Sequence, residues 1–188
     1  SGVTRNVEIW QGGKDGKTIP NDTKTGYYLR KYVNESVNVT NNNTAVHSWI
    51  YFRFAEIFLN YAEALNEYAP GDGNIRLFLN RVRARSGVAM PAVPAGLSQV
   101  EMRARIRNER RIELSFEEHR FWDVRRWKLG AQFFNVPVNR VKITKSGATF
   151  NYSIQELEKR NYKETQNLLP IPQVEIDKNP NLTQNLGY

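Results

Sequence analysis

Residues 107–127 read RNERRIELSFEEHRFWDVRRW. Charged residues alternate here with four large anchors, Phe116, Phe121, Trp122 and Trp127. Isolated charges are rarely buried, but paired ones can be. With Ile112, Leu114 and Phe116 threaded among the charges, the stretch reads as the ionic centre of a helical packing unit. Glu109, Glu113 and Glu117 recur at i, i+4 and i+8 and line one side of a helix. Arg110 lies three residues before Glu113 and Arg120 three after Glu117, a spacing for fork-shaped pairing. A salt-bridged solvent face is the competing reading; the aromatic run that follows argues for partial burial. The expected ion-pair and aromatic cluster is Arg107, Glu109, Arg110, Glu113, Glu117, Arg120, Trp122, Asp123, Arg126 and Trp127.

Upstream, Ser98 followed by Glu101 forms a capping box that opens this helix, which is expected to run through Glu117. A break near Glu118-His119 leads to a short aromatic helix ending at Lys128-Leu129-Gly130. From about Ser48 the apolar period is 3.6. Ile50, Phe54, Ile57, Phe58, Tyr61 and Leu65 make one apolar face, and Tyr51, Ala55, Leu59 and Ala62 a second. A helix apolar on two sides is expected between neighbours, as in a stacked array. Pro70-Gly71 ends it, Asp72 or Asn74 caps the next, and Ile75, Phe78, Leu79 and Val82 face its core. Gly87 stands where a left-handed C-terminal residue belongs. This hairpin of about 38 residues is close to the roughly 34 of a tetratricopeptide unit.

Residues 1–47 are turn-rich (Gly12-Gly13, Asp15-Gly16, Pro20-Asn21-Asp22), with β-like pieces at Val7–Trp10 and Tyr27–Val33. Asn38 and Asn42 open tripeptides of the glycosylation type, a short match of little weight. Beyond residue 130, Val141, Ile143, Phe150, Tyr152 and Ile154 flank a Lys145-Ser146-Gly147 turn and suggest a β-hairpin. LLPIPQVEIDK, residues 168–178, reads as an extended entry and a short helix with Pro172 at its first turn.

The chain has 188 residues, 40% hydrophobic and 12% aromatic, enough for a packed core. It has no cysteine, which removes disulfides, thiolate metal sites and a cysteine nucleophile. No apolar run is long enough to span a membrane. The net charge of +8 raises nucleic acid as a partner, but the basic residues are interleaved with acids and match no nucleic-acid motif. The opening Ser1-Gly2 is compatible with an internal fragment of a longer protein. The division expected is a loop-rich extended segment, 1–47, and a helical domain, 48–188.

FRFAEIFLNYAEALNE (52–67), LNRVRARSGV (79–88), IRNERRIELSFEEHRFWDVRRWK (106–128) and LLPIPQVEIDKNPNLTQNLGY (168–188), in that order, resemble the C-terminal region of the SusD/RagB family. The match covers about residues 50–130 and 165–188, with a looser one at GYYLRKY (26–32). The resemblance implies a mainly α fold of tetratricopeptide-like helical pairs, an alpha-alpha superhelix, with loop-rich and short β-hairpin insertions. It also implies a lipoprotein on the outer face of the Bacteroidetes outer membrane, without enzymatic activity or cofactor. Such a protein binds glycans or other nutrients over a SusC-like TonB-dependent transporter. The lipid anchor and several helix pairs would lie outside these residues.

Sugar binding needs an open aromatic ring flanked by hydrogen-bonding side chains. Trp10, in the polar loop VEIWQGGKDGK with Gln11, Lys14 and Asp15, fits best; Asn6, Tyr27 and Tyr28 are weaker candidates. Trp49, Trp122 and Trp127 adjoin helical apolar faces and are expected to pack. His119 has no second ligand at metal spacing and is expected to be structural. Glu109 and Glu113 could mimic a glycosidase pair, but surrounding arginines favour the ionised form, the wrong direction for a general acid. Two functions remain: a glycan-binding component of a nutrient-uptake system, or a helical scaffold that docks on a partner protein and touches no ligand.

Overall fold

A computed structural model describes residues 5–16, 23–37 and 43–188. The Asn38 and Asn42 tripeptides and the Pro20–Asp22 turn fall, in whole or in part, outside them. The chain divides into two compact units, Ser48–Asp123 and the remainder, Ser1–His47 with Val124–Tyr188.

The first unit holds α1 (Phe54–Tyr68), α2 (Gly73–Arg83) and α3 (Gln99–Glu113), and α4 (His119–Arg126) leads out of it. Asp72 accepts a hydrogen bond from Asn74 N and caps α2; Ser98 and Glu101 complete the capping box of α3. Leu59 and Ala62 of α1, Ile75, Leu79 and Val82 of α2, and Met102 and Ile106 of α3 meet in one buried cluster, closed by Val93 and Leu114. Burying each leucine or isoleucine contributes about 1.5–3 kcal/mol. Phe78 is only partly buried; its ring lies 5.2 Å from Phe58 and 4.9 Å from Tyr61.

The structure differs from the sequence reading at four places here. Helix α1 begins at Phe54, because Arg53 takes an extended conformation (φ −149°, ψ 156°). Helix α3 stops at Glu113, four residues short of Glu117, and Phe116 (φ 61°) and Glu118 (φ 67°) turn the chain through left-handed conformations. Gly87 (φ 83°) sits in the turn beyond α2, which Ala84 caps. Of the two apolar stripes of α1, Leu59 and Ala62 are sealed, whereas Phe54 (78%), Ile57 (49%) and Tyr61 (46%) stay exposed. The buried side of α1 takes Glu56 and Asn66 with it, because both find polar neighbours there: His119 for Glu56, and the Gln99 carbonyl for Asn66.

The second unit contains α5 (Gly130–Phe134), the antiparallel pair β1 (Val138–Ser146) and β2 (Thr149–Glu158), a 3₁₀ turn at Glu164–Asn167, and α6 (Gln173–Lys178) with Pro172 at its N-cap. The hairpin turns at Gly147-Ala148. Gly147 has φ 59° and Ala148 is not left-handed, the pattern of a type II′ turn. Tyr162 is buried against Gly130, where even a methyl would lie 2.0 Å from its ring. Val7–Trp10 and Tyr27–Val33 form no strand among the described residues. Their neighbours instead lend single hydrogen bonds to the free edge of β1: Gln11 N donates to Ile143 O (2.8 Å) and Val141 N to Thr25 O (2.9 Å).

Candidate functional site

The loop carrying Trp10 is organised by one carboxylate. Asp15 accepts from Arg5 Nη1 (2.5 Å), Arg5 Nη2 (2.8 Å) and the backbone N–H of Glu8 (2.7 Å). Gly13 N donates to Trp10 O (2.8 Å) and Gly16 N to Gly13 O (3.1 Å), curling the chain tightly. A β-carbon on Gly13 would fall 2.4 Å from Glu8 O, and one on Gly16 2.3 Å from Trp10 O, so only glycine fits. The Arg5 guanidinium, helped by the Glu8 N–H, lowers the Asp15 carboxyl to a pKa of about 2. A lowered folded-state value means that the carboxylate supports the loop above its ordinary 3.8 and loses that role as the pH falls through about 2. The carboxyl carbon of Asp15, followed by NMR, is expected to titrate near 2; a midpoint near 3.8 would mean that Arg5 is not holding it in solution.

The loop leans on the hairpin. Strand alternation puts Val141, Ile143 and Lys145 on one face, opposite Ile154, Tyr152 and Phe150. Trp10 packs on this face with its ring centroid 5.3 Å from Phe150, tilted 50°, and Lys145 Nζ 4.8 Å from the indole centroid. Gly26 (φ 84°) permits the second approach, since a β-carbon there would lie 2.4 Å from Val141 O. The result is a shallow cavity of about 310 Å³ walled by Trp10, Tyr27, Phe150 and Tyr152 over Val7, Ile9, Val141 and Ile143. Tyr27 (67% exposed) and Tyr152 (69%) present their rings openly, while Trp10 is half-buried. A second cavity of about 270 Å³ follows the β1 edge and includes Gln11, Asp15, Lys24, Arg140, Lys142 and Gln155.

Trp10 and Tyr27 thus share one cavity and Gln11 lines the other. Asn6 and Tyr28 line neither; Tyr28 donates from its hydroxyl to Asp15 O (3.4 Å). Phe150 and Tyr152 entered the sequence reading only as hairpin residues, and Arg140 and Lys142 not at all. The signal for the two aromatics was a two-stranded ribbon with a mostly apolar face, which needs a cover from elsewhere.

The ionic stretch lies in the helical unit. Arg110 forks onto Asp123 (Nε–Oδ2 2.8 Å, Nη2–Oδ1 3.0 Å), donates to Asn60 Oδ1 (2.5 Å) and has Glu63 at 3.6 Å. The i, i+3 spacing pointed to Glu113, but Glu113 receives Arg53 (2.5 Å) and Arg85 from other elements. Arg53 also forks onto Glu117 (2.7 Å), and Glu109 receives Arg83 (2.5 Å). Burial alone would lower the Arg53 pKa; its bonds to Glu117 and Glu113 outweigh that and raise it. Arg107 and Arg120 are partly buried in the same stretch. Trp122 is 56% exposed with its ring 4.9 Å from Phe121, and Trp49 is 50% exposed, so two of the three tryptophans expected to pack keep half their surface open. In the other unit Arg126 lies 4.9 Å over the Trp127 ring. His119 Nε2 stands 3.6 Å from Glu56 Oε2. Among the described residues no three His, Cys, Asp or Glu side chains gather as a metal site, and no helix is long and apolar enough to cross a membrane.

A family model described as the SusD family matches residues 2–188. SusD-like protein P2 of Formosa agariphila is 35% identical over 154 residues, covering 79% of this chain and 27% of that protein. A SusD-like carbohydrate binding protein from Bacteroides fragilis superposes with a TM-score of 0.68 at 31% identity, over 86% of this chain and 34% of that one. A second SusD-like protein from the same species gives 0.65 at 37% identity, over 76% and 26%. The chain spans between about a quarter and a third of the length of these relatives.

Proposed function

This chain belongs to the SusD family, and from that premise we propose that it is part of a glycan-binding protein of a nutrient-uptake system. The observation that carries the reading is the aromatic patch of Trp10, Tyr27, Phe150 and Tyr152 on one face of the hairpin, with the Lys145 ammonium beside the indole. Sugar rings stack their C–H faces on open aromatic rings, and amide or ammonium groups at the rim bond the hydroxyls. The carbohydrate binding named for the Bacteroides fragilis relative supports the same class of ligand. In this reading the chain binds and presents a nutrient without transforming it. The full protein sits at the cell surface on the outer membrane as a lipoprotein and hands its ligand to a SusC-like TonB-dependent transporter.

Calorimetry and affinity electrophoresis against plant, host and microbial glycans test this, with Trp10→Ala and Tyr152→Ala beside the parent chain. Binding to at least one glycan is expected, weakened tenfold or more by each substitution. Binding that survives both would remove the patch from the ligand. A second reading is favoured by the exposed stripe of α1, Phe54, Ile57 and Tyr61: a scaffold that docks on protein. It predicts no binding to any glycan in the panel.

A further inference from the structure

The 270 Å³ cavity along the β1 edge carries a charge pattern that stacking does not explain. Three of its lining side chains are cations, Lys24, Arg140 and Lys142. Its one carboxylate, Asp15, is already forked by Arg5. Among the described residues no carboxylate pairs with Lys24, Arg140 or Lys142. Arg140 is partly buried and donates from Nη2 to Gln155 Oε1 (2.9 Å), which fixes the plane of its guanidinium. Its Nε–H is closed off from solvent and has no acceptor among the described residues. Arg140 and Lys142 lie two residues apart on β1 and therefore on the same face of the hairpin. Like charges gathered in a concavity repel one another and focus a positive field on whatever enters it.

We propose that this cavity receives an acidic group of the glycan, the carboxylate of a uronic acid or a sulfate ester, while the adjoining aromatic patch takes the sugar ring. Arg140 and Lys142 stand on the face of the hairpin opposite the aromatic patch, and the two cavities meet at the free edge of β1, where they share Ile9, Gly26, Val141 and Ile143, so a sugar chain laid across that edge can reach both. With Nε closed off and Nη2 donating to Gln155, the guanidinium has its remaining Nη hydrogens for the oxygens of either anion, and Lys142 adds a point charge beside it. The inference rests on the glycan reading and adds the substrate class, an acidic polysaccharide.

The experiment uses matched polymers in affinity electrophoresis of the whole chain: dextran sulfate against dextran, and polygalacturonate against its full methyl ester. Arg140→Gln/Lys142→Gln is compared with Lys142→Gln alone, whose ammonium has no partner among the described residues, and with Arg105→Gln/Lys159→Gln, which removes equal charge from other surfaces. The expected result is that one or both acidic polymers retard the chain and their neutral partners do so at least tenfold less. The Arg140/Lys142 pair removes tenfold or more of that affinity, Lys142→Gln removes part, and the control pair changes it less than twofold. Retardation by dextran sulfate alone identifies a sulfate ester, and by polygalacturonate alone a uronate. Equal retardation by acidic and neutral polymers, insensitive to Arg140 and Lys142, would overturn the acidic substrate and leave the glycan reading standing. Equal losses in the target and control pairs would reduce the effect to net charge and overturn it too. Silence from all four polymers and from the wider glycan panel would sink both.

Discussion

Arg110→Ala is expected to lower the free energy of unfolding by about 3–5 kcal/mol, as removal of one partner from a buried ion pair does. Arg110 retains 4% of its side-chain surface and Asp123 5%. Truncating the arginine takes both forked bonds from the buried Asp123 carboxylate and leaves Asn60 and Glu63 facing a void. Urea unfolding followed by the helical signal reads the loss as a lower midpoint. Replacing both partners, Arg110→Met with Asp123→Leu, is expected to recover most of it, because a buried pair exchanged for apolar side chains of like volume is often neutral or better. A single-mutant loss near zero to 1 kcal/mol would instead assign the pair the weight of a surface salt bridge.

Leu59→Ala is expected to cost about 2–5 kcal/mol, whereas Ile57→Ala, two residues away on the same helix, is expected to stay within about 0.5 kcal/mol. Leu59 is fully enclosed by the α1–α2–α3 cluster and leaves a cavity when cut back. Ile57 keeps 49% of its surface, and alanine is the better helix former. Equal losses in urea unfolding would mean that the Phe54–Ile57–Tyr61 stripe is covered in solution.

That pair of substitutions also marks where sequence reading stopped. Periodicity showed both apolar stripes of α1, but Leu59 and Ile57 are equivalent to a helical wheel; which one is sealed depends on where α2 and α3 approach. The capping box at Ser98 and Glu101 was legible because both of its bonds are local. The end of α3 was not, since neither Phe116 nor Glu118 favours a left-handed backbone. There the chain reverses so that Asp123 can meet Arg110, a tertiary demand with no local signature. Charge spacing offered Arg110 and Glu113 to each other, whereas Arg110 forks onto Asp123 and Glu113 receives Arg53 and Arg85 from other elements. In the candidate site, the glycines around Trp10 marked turns in a polar loop. Its cover, Phe150 and Tyr152, lies too far along the chain for any pattern to link them.

The hydrogen bond from Val141 to Thr25 joins segments more than a hundred residues apart, with the whole helical unit between them. The chain leaves the ribosome from its N-terminal end, so the Trp10 loop emerges first and waits longest for its partner. The helical unit is contiguous, and its contacts can form as soon as Asp123 has been made. Folding it takes most of the intervening chain out of the coil that must still be closed, which lowers the entropy lost when the loop meets the hairpin. The aromatic patch therefore cannot exist until the hairpin has been made, long after the Trp10 loop. A chain halted just past Asp123 would hold its helical core intact and have nothing with which to grip a sugar.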